Sequence, residues 1–115
     1  MVTPNPSDIA MLNDRFRQGD PKVPGRWFAT VGISELLKRH DVEIDRIVEA
    51  VLVFDSFTED NDPHGEHDFG QFEYLGETCF WKIDCYDNDY EMGSDDPTDL
   101  NITKRVLTIM LAGEW

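Results

Sequence analysis

Positive charge is scarce in this chain. The 115 residues include 10 lysines and arginines against 24 aspartates and glutamates, which gives a formal net charge of −14 at pH 7. The stretch from Asp55 to Asp99, called the acidic segment below, holds 15 of the acids and only one lysine or arginine, Lys82. The rest of the chain is balanced, with nine acids and nine bases. Because contact with phosphates depends on Lys and Arg, we expect no direct nucleic-acid partner, and we attribute function to the acidic segment.

Long apolar runs and cysteines are also scarce. No apolar run approaches the roughly 20 residues of a membrane-spanning helix, and the polar N-terminus lacks the layout of a secretory signal. The two cysteines, Cys79 and Cys85, fall in one predicted strand, where they would lie about 20 Å apart, too far for a disulfide. These features predict a soluble, cytoplasmic protein with two free thiols and no membrane partner.

Four segments before the acidic segment predict regular structure. Apolar residues at helical spacing predict a helix over residues 8–17, with Ser7 as its N-cap. Alternation of apolar and polar residues predicts a strand from Arg26 to Ile33. A brief helical turn over residues 34–39 and a longer helix capped by Asp41 follow.

The acidic segment itself predicts two loops joined by a β-hairpin. Residues 58–66 contain Asn, Pro and Gly and no apolar side chain, which indicates a loop. Two strand-like runs, 68–74 and 78–86, are separated by residues 75–77, whose length and composition suit a hairpin. Residues 87–100 form a second acidic loop.

The C-terminal segment, residues 101–112, has apolar spacing that predicts a closing helix. Its β-branched content leaves a strand as the alternative. The length suits a single acidic domain over residues 1–115 with one core. The predicted fold is therefore α+β, with a small antiparallel sheet of about three strands and helices packed on one face.

The loop that begins at Asp60 partly matches a calcium-binding loop. Oxygen-bearing residues stand two positions apart and a glycine occupies the sixth position, but His64 replaces an oxygen ligand and Gln71 stands at the twelfth position. His64 and His67 also have the spacing of zinc ligands, although a closed zinc site needs four. An acidic turn that caps its own backbone is the commoner use of such residues. A divalent-cation site is the alternative hypothesis, with the ligands Asp60, Asp62, His64, Glu66, His67 and Asp68.

Lys82 and Asp84 invite comparison with metal-dependent nucleases, which hold Mg²⁺ beside a lysine. Phe80 stands where the usual acid-x-lysine element would place an acid. Lys82 can equally offset repulsion between neighbouring carboxylates. The sequence contains no GxSxG, glycine-rich phosphate loop or HExxH motif. We assign no catalytic residue, and a metal-assisted hydrolase that uses the DNDPHGEHD loop, residues 60–68, is the alternative.

The localised negative charge predicts a protein partner with a basic surface. Such a field attracts a basic groove and competes with the polyanion that the groove normally binds. Aromatic residues are interleaved with the acids, as in specific interfaces, although an acidic surface can also serve solubility alone. The predicted contact residues are Asp60, Asp62, Glu66, Asp68, Asp84, Tyr86, Asp87, Asp89, Asp95 and Asp96.

Four stretches, FDSFTEDNDPHGEHDFG, FWKIDCYD, GSDDPTDL and TKRVLTIMLAGEW, resemble a family of small bacterial proteins, the domain of unknown function numbered three-seven-six-eight. The resemblance covers the chain from about Ile9 to Trp115. Cys85 departs from it, since a second aromatic is expected there. The resemblance implies that the signature positions are residues 60–70 together with Lys82, Asp84, Tyr86, Asp87 and Arg105.

Size and charge suggest a role by analogy. Small acidic single-domain bacterial proteins include inhibitors of restriction and CRISPR enzymes, some of which imitate the charge of DNA. By this analogy we expect a non-enzymatic protein-binding module that inhibits a nucleic-acid-binding defence effector and needs no cofactor.

Overall fold

A four-stranded mixed sheet organises the protein. The computed structural model describes residues 4–115, and its elements are α1 (Pro6–Arg17), β1 (Gly25–Ala29), α2 (Val31–Arg39), α3 (Ile44–Leu52), β2 (Phe69–Tyr74), β3 (Glu77–Tyr86), β4 (Lys104–Leu111) and a C-terminal 3-10 turn (Ala112–Glu114). The strand order is β1-β4-β3-β2, with β1 parallel to β4 and the other pairs antiparallel. The α+β class is confirmed. The prediction of about three antiparallel strands is wrong, because β4 inserts between β1 and β3.

The C-terminal segment forms strand β4, so the prediction of a helix over residues 101–112 is wrong and its alternative is correct. As a central strand, β4 is covered on both faces, and most of its residues are buried. Burial on both faces produces a nearly continuous apolar run that the helical spacing pattern also fits. The β-branched residues Val106, Thr108 and Ile109 favour the strand.

The strand predicted from Arg26 to Ile33 ends at Ala29. Thr30 is the N-cap of α2, and its hydroxyl accepts a hydrogen bond from the Ile33 N–H at 3.4 Å. The helix therefore begins before Ser34, the predicted cap. Ile33 is fully buried within α2, not within a strand.

The caps of α1 and α3 also differ from prediction. Asn5 caps α1, because its side-chain oxygen accepts from the Ser7 N–H at 2.8 Å, so Ser7 lies inside the helix. The helix α3 begins at Ile44, and the residue before it, Glu43, forms no side-chain cap. Asp41, the predicted cap, precedes the helix and has left-handed backbone geometry with a φ of 52°.

The predicted hairpin is confirmed, with a turn of two residues. Leu75 and Gly76 have φ angles of 49° and 79°, as a type I′ turn requires at both central positions. The alternation predicted for β3 is confirmed for Cys79, Trp81 and Ile83, which are buried, whereas Cys85 is partly buried.

The core lies between the helices and one face of the sheet. Its cluster of buried residues joins all three helices to β3 and β4, and consists of Leu12, Phe16, Val23, Ile33, Leu36, Leu37, Ile47, Val51, Cys79, Trp81, Ile83, Leu107 and Ile109. Both cysteines are free thiols. Burial, with a smaller effect from nearby glutamates, raises the pKa of Cys79 to about 11. Within residues 4–115, no helix combines the length and the apolar character needed to cross a membrane.

Candidate functional site

Two acidic loops meet at one end of the sheet. The first acidic loop, residues 55–68, enters β2 at Phe69, which pairs with Lys82, and the second acidic loop, residues 87–100, leaves β3 at Tyr86. The hairpin turn lies at the opposite end of β3. Of the 15 acids in the acidic segment, only Glu73 on β2 and Glu77 on β3 lie beside that turn. The fold therefore gathers the remaining acids around one end of β3.

A buried polar bridge connects the two acidic loops. Asn13, on α1, donates from its amide to the Glu66 carbonyl at 2.9 Å and accepts from Arg105 Nε at 2.7 Å. Arg105 in turn donates from Nη2 to the Pro97 carbonyl at 2.8 Å. Asn13 and Arg105 are 1% and 0% exposed. One amide and one guanidinium thus fix the relative position of the first and second acidic loops.

Arg105 is an unusual buried cation because its partners are neutral. Among residues 4–115 it forms no ion pair within 4.0 Å, and its Nη1 has no hydrogen-bond partner. Burial lowers the pKa of Arg105. The guanidinium still carries its charge at neutral pH, since arginine is not deprotonated in proteins. Its positive charge therefore lies beneath two loops that are almost wholly negative.

His67 anchors the first acidic loop to α1. Its ring stacks on Phe57 with centroids 3.9 Å apart and planes 2° from parallel. Its Nδ1 lies 2.9 Å from Asp14 Oδ2, and its backbone N–H donates to the Asp62 carboxylate at 3.3 Å. Asp14 also accepts from the buried Arg17 at 3.1 Å. The imidazole therefore has a structural role in holding the loop.

An open groove lies beside this anchor. Its volume is about 530 Å³, and it runs between α1 and the first acidic loop, lined by Ser7, Ala10, Met11, Asp14, Arg15, Gln18, Gly65 and His67. Both ring nitrogens of His67 face carboxylates, since Nε2 lies 3.6 Å from Asp62 Oδ2.

The six residues of the metal hypothesis are not arranged as a ligand set. In the part of the chain that the structure describes, no group of three or more His, Cys, Asp and Glu side chains is placed to hold a metal ion. Asp60 and His64 are exposed, while Asp62 and His67 make the loop contacts given above. Glu66 and Asp68 are partly buried.

The carboxylates near the end of β3 act on one another. Burial raises the pKa of Asp68, and the negative charges of Asp62 and Asp84 raise it further. Burial and the charge of Asp68 likewise raise the pKa of Glu66. The single lysine of the segment, Lys82, pairs with Asp84 at 3.0 Å. The negative field at this end of the sheet is therefore only slightly neutralised from within.

The ten predicted partner-binding residues differ in their exposure. Three are exposed, namely Asp60, Asp89 and Asp95. Three accept backbone N–H groups of their own loops, namely Asp62, Asp87 and Asp96. Four are partly buried, namely Glu66, Asp68, Asp84 and Tyr86. Among these ten residues, the carboxylates most available to a partner are therefore those of Asp60, Asp89 and Asp95.

Sequence reasoning missed the part of the site that α1 contributes. Asn13 and Arg17 are four residues apart and lie beside the apolar residues Leu12 and Phe16 on the buried face of the helix. Polar residues at two successive positions of an apolar helix face are a signal of buried polar contacts. No comparable pattern in the sequence indicated that Asp14 contacts His67 and Arg17.

Replacement of Asn13 by alanine should destabilise the protein, because it leaves Arg105 Nε and the Glu66 carbonyl buried without a partner. We expect a loss of about 2 kcal/mol or more in the free energy of unfolding. The matched control is Asn88→Ala, which removes an exposed amide that donates to the Asn101 carbonyl at 3.0 Å and should cost under about 0.5 kcal/mol. Urea denaturation of the three proteins measures both values, and equal losses would contradict the role of the bridge.

Replacement of Asp68 by asparagine should stabilise the protein at neutral pH. A carboxylate whose pKa is raised by folding weakens the folded state above that pKa, and this penalty disappears as the pH falls towards its ordinary value of 3.8. Asp68→Asn should therefore raise the Tm at pH 7 by on the order of a few degrees, and the gain should vanish near pH 4.

Thermal melts of Asp68→Asn between pH 7 and pH 4 provide the measurement. Asp60→Asn removes the same charge from an exposed position in the same loop and should raise the Tm less. A gain for Asp68→Asn that persists unchanged at pH 4 would show that its charge is not the cause.

The chain was compared with known proteins. No curated protein and no solved structure matches it. A family model described as "Protein of unknown function (DUF3768)" matches residues 29–114, which include both acidic loops and Arg105. Most of the chain is thereby covered, and the chain belongs to the DUF3768 family.

Proposed function

We propose that this protein is a non-enzymatic module whose two acidic loops bind a basic protein surface and thereby inhibit a nucleic-acid-binding effector. The observation that carries the proposal is the lack of internal neutralisation. Within residues 4–115, Lys82 with Asp84 is the only pair within 4.0 Å that joins a lysine or arginine to an acid of the acidic segment. The exposed carboxylates, Asp60, Asp89 and Asp95 among them, therefore remain available for positive charge from outside.

The rigidity of the loops supports the same proposal. The Asn13–Arg105 bridge and the stacked His67 ring hold the first and second acidic loops in place before any partner arrives. A surface that is already ordered loses less conformational entropy on binding. A surface kept only for solubility would gain nothing from such ordering.

The class of partner follows from charge. Grooves that bind nucleic acid are lined with Lys and Arg, so a dense set of carboxylates complements them and competes with phosphates. Restriction and CRISPR nucleases are the effectors that we propose, which places the protein in the cytoplasm. The mechanism requires no cofactor, no membrane and no direct contact with nucleic acid.

Titration calorimetry against purified restriction and CRISPR nucleases tests the proposal. The informative variant changes the exposed residues Asp60, Asp89 and Asp95 to asparagine together. Because these charges face solvent, we expect binding to a target nuclease to weaken by about tenfold or more, and to weaken further as salt screens the remaining charges. A duplex DNA oligonucleotide should compete with the protein for the nuclease.

A matched control removes three charges outside the acidic segment. Glu35, Glu43 and Glu49 are exposed, and their joint replacement by glutamine gives the same change in net charge as the first variant. This control should bind as the wild type does. If both triple variants bind equally well, or if DNA does not compete, the acidic loops are not the binding surface.

The divalent-cation alternative has one observation in its favour: burial, and after it the negative charge of neighbouring aspartates, raise the pKa of Glu66 and the pKa of Asp68. A cation bound there would raise the Tm at concentrations above its dissociation constant. Our main proposal expects Ca²⁺, Mg²⁺, Mn²⁺ and Zn²⁺ to act alike, by screening alone. A rise in Tm with one ion only, lost in the variant Asp60→Asn with Asp62→Asn, would favour the alternative.

A further inference from the structure

A guanidinium of the protein itself is seated on the second acidic loop. Arg26, on β1, places its guanidinium carbon 3.7 Å from the ring centroid of Tyr90, which belongs to that loop. Its neighbours Trp27 and Ala29 pack against the core, so Arg26 lies on the opposite face of the sheet. The contact shows that a planar cation fits against the ring of Tyr90.

The backbone of the second acidic loop holds Tyr90 in this position. Its φ of 58° lies in the left-handed region, which is uncommon for a bulky residue. The carboxylate of Asp87 accepts the N–H groups of Asp89 and Glu91, each at 3.1 Å. The Asp87 N–H donates to the Met92 carbonyl at 2.8 Å and closes the turn around Tyr90. The ring is therefore in place before a partner arrives.

Arg26 engages the ring but not the carboxylates beside it. Among residues 4–115 it forms no ion pair within 4.0 Å, although Asp89 and Glu91 flank Tyr90 and are exposed. Its backbone is fixed in β1, which keeps its guanidinium away from those carboxylates. An arginine that arrives from outside has no such constraint, so it can stack on the ring and pair with a carboxylate at the same time.

We propose that Tyr90 receives an arginine of the basic partner, and that this arginine displaces Arg26 from the ring. This role of Tyr90 rests on the proposed function and adds the kind of side chain that is recognised. A guanidinium is planar and delocalised, so it stacks on an aromatic ring, whereas a lysine ammonium is a compact and strongly hydrated charge. The second acidic loop therefore prefers arginine to lysine at equal charge.

Displacement of Arg26 costs little. A cation stacked on an aromatic ring at an exposed site changes an equilibrium constant by only about two- to fivefold, and Arg26 is exposed. The incoming arginine restores the same contact and adds an ion pair. Arg26 meanwhile occupies the ring and repels an arriving cation, so its removal should strengthen binding.

Titration calorimetry with a peptide of nine arginines and a peptide of nine lysines tests the preference, because the two probes carry the same charge. Tyr90→Asn removes the ring, and asparagine tolerates the left-handed backbone of this position. Tyr90→Phe keeps the ring and is the matched control. We expect the wild type and Tyr90→Phe to bind the arginine peptide more tightly than the lysine peptide. In Tyr90→Asn this preference should fall by about two- to fivefold.

A second pair of variants tests the displacement of Arg26. Arg26→Met should bind the arginine peptide more tightly than the wild type does. The control Lys104→Met removes one positive charge from β4 opposite Tyr86, where the second acidic loop begins. Because Lys104 does not occupy the ring, the gain for Arg26→Met should be the larger of the two. This extra gain should disappear when Tyr90→Asn is added.

The outcomes separate this proposal from the proposed function. A preference for arginine that Tyr90→Asn leaves unchanged overturns the role of Tyr90, and so does an Arg26→Met variant that gains no more than Lys104→Met. If Tyr90→Asn is poorly folded, the comparison of Arg26→Met with Lys104→Met still decides. A wild type that binds neither peptide overturns the role of Tyr90 as well. None of these results replaces the nuclease titration, in which the exposed aspartates alone decide whether the acidic loops are the binding surface.

Discussion

The hydrogen bond between Arg105 and Asn13 is the interaction on which the arrangement of the acidic surface depends. It joins the central strand β4 to α1, and each partner extends it to the backbone of one acidic loop. A loop anchored through its backbone keeps its side chains free, so the carboxylates can face outwards while their main chain is held. The two loops therefore form one surface instead of two independent segments.

Electrostatics explains why this anchor is needed. Two loops with a large excess of carboxylates repel each other, and Lys82 provides the only lysine or arginine charge within the segment. Burial, and to a smaller extent the charge of neighbouring aspartates, raise the pKa values of Glu66 and Asp68. The buried charge of Arg105 and the contacts of His67 oppose this repulsion. A basic partner would relieve it from outside, which gives binding an electrostatic gain in addition to its direct contacts.

The sequence predicted those parts of the molecule whose structure depends on local pattern. The hairpin, the two acidic loops and the buried face of β3 follow from alternation and turn residues, and these predictions were correct except that Cys85 is only partly buried. The strand β4 was misassigned because burial on both faces removes the period-two signal. The Asn13–Arg105 bridge joins residues 92 positions apart, a pairing that local patterns do not encode. The family match begins at residue 29, so α1, which supplies Asn13 and Asp14, precedes the residues that it covers.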